Sequence, residues 1–219
     1  MKKIFAINGS PRPSGNTKFL LDAFLRGAEE NSAKSTVYRA NEINIKNCTG
    51  CLRCNLIKKC SIRDDDWENI SRNILDSDII VFASPVYFHH FPASVKAILD
   101  RFRSFIKVQI TIESIKHEPW VEWKKDFVLI LSMGSSDSID AKPIIDLFEY
   151  ISSILGPNNK LHVITATRLA VNKQINMQSQ ELEDLYSKLH IPVELAKTDS
   201  NLNKKRLMEC YELGNKLSI

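Results

Sequence analysis

Residues 78–83, Asp-Ile-Ile-Val-Phe-Ala, are apolar almost without a break. A strand with one wet face alternates polar and apolar residues, whereas an unbroken run suits a strand covered on both faces, as in a parallel sheet flanked by helices. Residues 2–8, 35–40, 127–133 and 161–166 read as four more strands. Helical patterns lie between them. Phe19, Leu20, Ala23, Phe24 and Ala28 mark a helix from about Asn16. Trp67, Ile70, Ile74 and Leu75 mark another, and Asp64-Asp65-Asp66 at its start read as caps. Pro92 opens a helix carrying Val95, Ile98, Leu99 and Phe102, and a further one runs from about 141 to 155. Leu182, Leu185, Leu189, Leu207, Tyr211 and Leu217 make the remainder helical. Residues 108–125 are the least regular stretch, where Trp120 and Trp123 read equally well as a lid or subunit contact and as packing residues.

Strands alternating with helices predict an α/β fold over residues 1–219: one domain with a doubly wound, five-stranded parallel sheet and helices on both faces. Ligands of such sheets bind at the carboxyl ends of strands near the switch point in strand order. That selects the loops starting at Gly9, Ser84 and Gly134.

The charge balance excludes little and supports less. Thirty basic and 26 acidic residues leave a net charge of +4, a weak argument for nucleic acid. No apolar run approaches the ~20 residues that span a bilayer, and Met1-Lys2-Lys3 leads into a short strand rather than a secretory signal. The expected location is the cytoplasm, with neither membrane nor nucleic acid as partner. In a reducing compartment, the clustering of Cys48, Cys51, Cys54 and Cys60 points to metal rather than to disulfides.

The loop after the first strand, Gly9-Ser10-Pro11-Arg12-Pro13-Ser14-Gly15-Asn16-Thr17, has the composition of a phosphate cradle. Backbone N–H groups of a Gly/Ser/Pro loop turn inward, and the next helix adds unpaired donors and the positive end of its dipole. Ser10, Ser14 and Thr17 offer hydroxyls, Asn16 an amide and Arg12 a guanidinium. The loop is neither a P-loop nor the dinucleotide fingerprint, and the plainer alternative is an ordinary strand-to-helix turn that is polar because it is exposed. The second loop, Ser84-Pro85-Val86-Tyr87-Phe88, offers an aromatic pair and backbone amides suited to a flat heteroaromatic ring with polar edges. Together the loops fit FMN.

Gly9-Ser10-Pro11-Arg12, Gly15-Asn16-Thr17, Ser84-Pro85-Val86-Tyr87, Lys96 and Asp100-Arg101 resemble the NADPH-dependent FMN reductase family of the flavodoxin-like fold. The resemblance covers about the first hundred residues. It implies phosphate contacts from Ser10, Arg12, Asn16 and Thr17, and ring contacts from Pro85, Val86, Tyr87 and Phe88. Family relatives often carry small residues where this chain has Phe88-His89-His90. Those adjacent histidines invite a proton-transfer role, against the plainer reading of solvated or hydrogen-bonded loop residues. No catalytic residue is assigned.

The spacing Cys48-x2-Cys51-x2-Cys54-x5-Cys60 resembles ferredoxin logic, in which short gaps bring thiolates to one cluster. Three alternatives stand: a 4Fe-4S cluster, zinc or a redox disulfide, and thiols with no cofactor. Gly50 frees the backbone to wrap. The set resembles the iron-sulfur flavoprotein branch of the family, which implies a 4Fe-4S cluster on these four residues. Cys210, in an apolar helical pattern, reads as core.

FMN handles one or two electrons and a 4Fe-4S cluster one, so the pair would join one- and two-electron partners. That reading takes an external, ferredoxin-like donor and a small-molecule acceptor bound over Tyr87. The resemblance adds a homodimer or homotetramer with the cluster of one subunit near a neighbour's FMN. Two rivals are a cluster-free flavin or quinone reductase taking hydride from NAD(P)H, and a non-enzymatic electron shuttle or redox-sensing interaction protein.

Overall fold

A computed structural model describes residues 1–219. Strands β1 (Lys3–Asn8), β2 (Lys34–Arg39), β3 (Ile79–Pro85), β6 (Asp126–Ser132) and β7 (Lys160–Ala166) form one parallel sheet in the order β2-β1-β3-β6-β7. This is the flavodoxin-like order, with its switch point between β1 and β3.

Alternation along each central strand divides the core in two. Phe5, Ile7, Ile80, Phe82, Phe127, Leu129 and Leu131 face one side, where they meet helices α3 (Trp67–Asp76), α4 (Ala93–Arg101) and α5 (Lys142–Leu155). Ile4, Ala6, Val81, Ala83, Val128 and Ile130 face the other and meet α1 (Asn16–Glu29) and α7 (Leu195–Leu217). Both faces are dry, which is why these strands carry unbroken apolar runs. On the second face α1 and α7 touch backbone to backbone. A Cβ on Gly27 would lie 1.9 Å from the Tyr211 carbonyl oxygen, and one on Gly214 1.9 Å from that of Phe24. Cys210 is fully buried beside them, as expected, and burial pushes its thiol up to about 12.

Two short helices complete the chain, α2 (Cys54–Ile57) and α6 (Ser179–Lys188). No helix is long and apolar enough to cross a membrane.

The stretch expected to be least regular is an antiparallel hairpin of β4 (Ile106–Ile110) and β5 (Ile115–Pro119). Its turn carries no Gly, Pro or Asn. Thr111 and Ser114 close it through backbone and hydroxyl hydrogen bonds, a weak signal in sequence. Trp123 is a packing residue, 5% exposed and stacked on Phe127 at 6.2 Å. Trp120 is half-buried, with Lys58 5.6 Å above its ring.

Candidate functional site: two loops and a cysteine cleft

At the carboxyl end of β1 the chain is turned by its own side chains. Asn8 accepts a hydrogen bond from the Ser10 N–H at 2.9 Å, and the Ser10 hydroxyl accepts one from the Arg12 N–H at 3.2 Å. Gly9 keeps pairing with β3, its N–H donating to the Ala83 carbonyl at 2.7 Å. A Cβ at Gly9 would sit 2.6 Å from Val95 Cγ2 and 2.8 Å from Ser84 Oγ, so only glycine lets the first loop pass this close to the second. Helix α1 then starts with no side-chain cap, and the backbone N–H groups of Asn16 and Thr17 have no acceptor in the protein. Unpaired donors at a helix N-terminus beside Arg12 and Ser10 are the donor set that an anion would need.

A cleft of about 180 Å³ opens there. Ser10, Arg12, Gly15, Asn16 and Thr17 line it from the first loop and Pro85, Val86 and Tyr87 from the second. Ser132, Met133 and Gly134 contribute from the end of β6, and Leu169 and Ala170 close the far side. Ser14 and Phe88 do not line it. Phe88 is fully exposed at the tip of a tight turn in which Tyr87 and His90 exchange backbone hydrogen bonds of 2.8 and 2.9 Å. Phe88 and His89 both hold positive φ, +47° and +62°, the pattern of a type I′ turn without its usual glycine. The His90 Nδ1 accepts from the Phe91 N–H, and His89 faces Asp140 at 3.6 Å.

Two chemical expectations change. The Asn16 amide was expected to reach for phosphate, but it is fully used by the protein. Its Nδ2 donates to the carbonyls of Leu169 (3.2 Å) and Val171 (2.8 Å), and its Oδ1 accepts from the Ile175 N–H (3.1 Å). Two backbone amides of the second loop are also taken, because the Val86 N–H donates to Ser132 O and the Tyr87 N–H to His90 O. The Gly134 N–H has no protein acceptor.

The wall at 169–170 is what sequence reasoning missed. It follows the last strand, outside the three loops selected by strand order. It is held on one side by Asn16 and by Arg12, whose Nη1 donates to Ala170 O at 3.1 Å. Behind it, Arg168 pairs with Asp199, which also accepts from the Tyr186 hydroxyl at 2.8 Å. Burial first, and then Asp199, push the Tyr186 pKa up to about 12. Sequence carries no signal for it, because the partners of Asn16 lie 153 to 159 residues away. Asn16→Ala strands two carbonyls and an N–H, so a loss of about 2–3 kcal/mol is expected in chemical denaturation. A loss under about 1 kcal/mol would mean that the wall does not depend on this amide.

The cysteine segment connects β2 to α3. Its base is clasped by Asp65, which accepts from the N–H groups of Lys46 (3.1 Å) and Trp67 (3.2 Å) and pairs with Arg101. Arg101 also donates to Lys46 O at 2.8 Å. Asp66, at the N-cap position, makes no side-chain bond to the helix and accepts instead from the Asn44 N–H at 2.7 Å, so of the expected caps only Asp65 reaches a helix N–H. Burial alone would raise the Asp65 carboxyl; Arg101 and the two N–H donors outweigh it and hold the carboxyl below its ordinary range.

Cys48, Cys51, Cys54 and Cys60 are reduced and line one narrow cleft of about 20 Å³. No group of three or more His, Cys, Asp or Glu is arranged to hold a metal ion. The thiols are not equivalent. Hydrogen bonding from the Arg53 backbone, then from Ser61, lowers the exposed Cys51 thiol, whereas burial raises that of Cys54. Cys54 donates to the Arg103 carbonyl, and Asn55 donates to Val108 O at 2.8 Å, which seats the segment beyond the C-terminal end of α4.

Residues 2–174 match the NADPH-dependent FMN reductase family. The chain belongs to that family. An iron-sulfur flavoprotein of Methanocaldococcus jannaschii is 35% identical over 101 residues, 46% of this chain and 52% of that protein. One of Methanosarcina thermophila is 37% identical over 100 residues, 45% of this chain and 51% of its own length. The matches thus span about half the length of these relatives. Among solved structures, an NAD(P)H:quinone oxidoreductase from Methanothermobacter marburgensis superposes with a TM-score of 0.66 at 14% identity, covering 99% of this chain and 98% of that one. An azoreductase from Bacillus anthracis gives 0.64 at 14% identity, covering 99% and 100%. At such identities the likeness shows the flavodoxin-like fold alone.

Proposed function

We propose that this protein is an FMN-dependent oxidoreductase that exchanges electrons between FMN and a 4Fe-4S cluster held by Cys48, Cys51, Cys54 and Cys60. The observation that carries the FMN half is the anion site: unclaimed N–H groups of Asn16 and Thr17 beside Arg12 and the Ser10 hydroxyl, at the switch point of the sheet. Bound FMN supplies one- and two-electron redox chemistry. The protein's part is to bind and orient it. Ser10, Arg12 and the helix donors take the phosphate. Pro85, Val86 and Tyr87 give the ring an apolar bed with no spare backbone donor of their own. The Gly134 N–H, which has no protein acceptor, is available to a polar ring edge.

For the cluster, the donor chemistry fits: four soft thiols on one cleft, with the buried cation Arg101 beside them. The cleft as it stands holds about one water, so cluster binding is expected to widen the loop, which already has positive φ at Gly50, Leu52 and Lys58. The flavin cleft lies where the chain enters α4 and the cysteine segment lies past its other end. A homo-oligomer in which one subunit's cysteine loop approaches a neighbour's flavin suits that separation.

The absence of a ready-made metal geometry favours a second reading, a cluster-free reductase fed by NAD(P)H. Iron, acid-labile sulfide and FMN per chain, measured on protein purified without oxygen, separate the two. About one FMN with four iron and four sulfide is the expected result. FMN without iron, with rapid bleaching by NADPH, selects the second reading. Arg12→Ala is expected to raise the Kd for FMN about ten- to hundredfold, the worth of a charge-assisted hydrogen bond. Unchanged affinity in a fluorescence titration would remove the guanidinium from the phosphate site.

A further inference from the structure

Arg101 is buried to 1% exposure, beneath the cleft that the four cysteines line. Arginine presents its N–H donors in a planar fork. Yet only two of its five N–H donors are used. Nη1 donates to Asp65 and to the Lys46 carbonyl, and the plane lies over Trp67, 5.2 Å from the ring centre. Nε and Nη2 are buried with no acceptor. Asp65, in contrast, is fully satisfied, with the Lys46 and Trp67 N–H groups as well as Arg101.

A loop clasp alone does not account for this. A clasp needs a bidentate pair or a single contact from a flexible cation, whereas here a buried cation leaves two nitrogens, with three N–H donors between them, unpaired. Unpaired buried donors are costly, and more so on a charged group. The neighbouring cleft supplies the missing partner in chemical terms, since thiolates and sulfide are anionic acceptors. On the cluster reading given above, we infer that Arg101 is a positioning and potential-setting residue of the sulfur site. Its Nη1 holds the base of the cysteine loop, and its Nε–H and Nη2–H donate to anionic sulfur in the cleft.

The consequence is a direction. One-electron reduction of the cluster adds one negative charge and no proton, and a buried cation favours the reduced form. Removing the cation lowers the reduction equilibrium constant, whereas removing the Asp65 carboxylate raises it. A purely structural clasp gives no such opposition, because both substitutions loosen the same loop.

The test is an EPR-monitored titration of the anaerobically prepared full chain with dithionite. Arg101→Gln is expected to lower the equilibrium constant at least tenfold, about 59 mV for one electron. Asp65→Asn is expected to shift it upward, and Arg101→Lys to recover much of the loss. Shifts of the same sign in Arg101→Gln and Asp65→Asn, or none in either, overturn the inference and leave the cluster reading intact. Should Arg101→Gln not retain iron, Asp65→Asn decides: an upward shift supports the inference, and any other result overturns it. Wild-type protein without iron or sulfide overturns the cluster reading itself, and this inference with it.

Discussion

Gly27→Ala is expected to cost about 3 kcal/mol or more, an overpacking penalty that the site cannot relax. The new methyl carbon would fall 1.9 Å from a backbone oxygen of α7, and backbone in the middle of a 23-residue helix cannot swing aside as a side-chain end can. The helices must separate, which opens the core around Phe24, Ala28 and Cys210. For a chain of this size the melting temperature should fall by roughly 6–12 °C. Gly50→Ala is the comparison. Nothing lies within 4 Å of its added Cβ, and only the positive φ of +66° is unfavourable, so about 1 kcal/mol is expected. Equal effects of the two substitutions in a thermal melt would refute the close helix contact.

The second large effect concerns iron. Cys51→Ala is expected to abolish iron and sulfide incorporation while leaving FMN content unchanged. Cys51 is the informative choice because it is exposed and its sulfur meets the hydroxyls of Ser61 and Thr49 at the surface, so its loss leaves the fold intact. Cys54 is buried against the turn after α4, where the same result would mix ligand loss with packing loss. Full iron and sulfide in Cys51→Ala would sink the cluster assignment. Cys210→Ala should keep the iron and lose stability, since that thiol sits in the core between α1 and α7.

Part of the site was legible before any fold. Gly9, Ser10, Arg12 and Gly15 announce a wound loop between strand and helix, and the structure sets Ser10, Arg12 and Gly15 around one cleft with Pro85, Val86 and Tyr87. Phe88 shows the limit of such reading. Its place beside Tyr87 in sequence suggests a shared role, but a two-residue turn with positive φ carries it into solvent.

The parallel sheet follows from sequence alone, because a strand buried on both faces has no polar position to spare, and β1, β3 and β6 show it directly. The family follows as well, since its two loops are local motifs. The hairpin of β4 and β5 does not, because half-wet strands and a turn built from Thr111 and Ser114 carry little signal of their own. Nor does the real work of Asn16 or Arg101. The partners of Asn16 lie 153 to 159 residues away and those of Arg101 36 and 55. A side chain's hydrogen bonds are assigned by whatever the fold brings within about 3 Å, and only tertiary structure decides that.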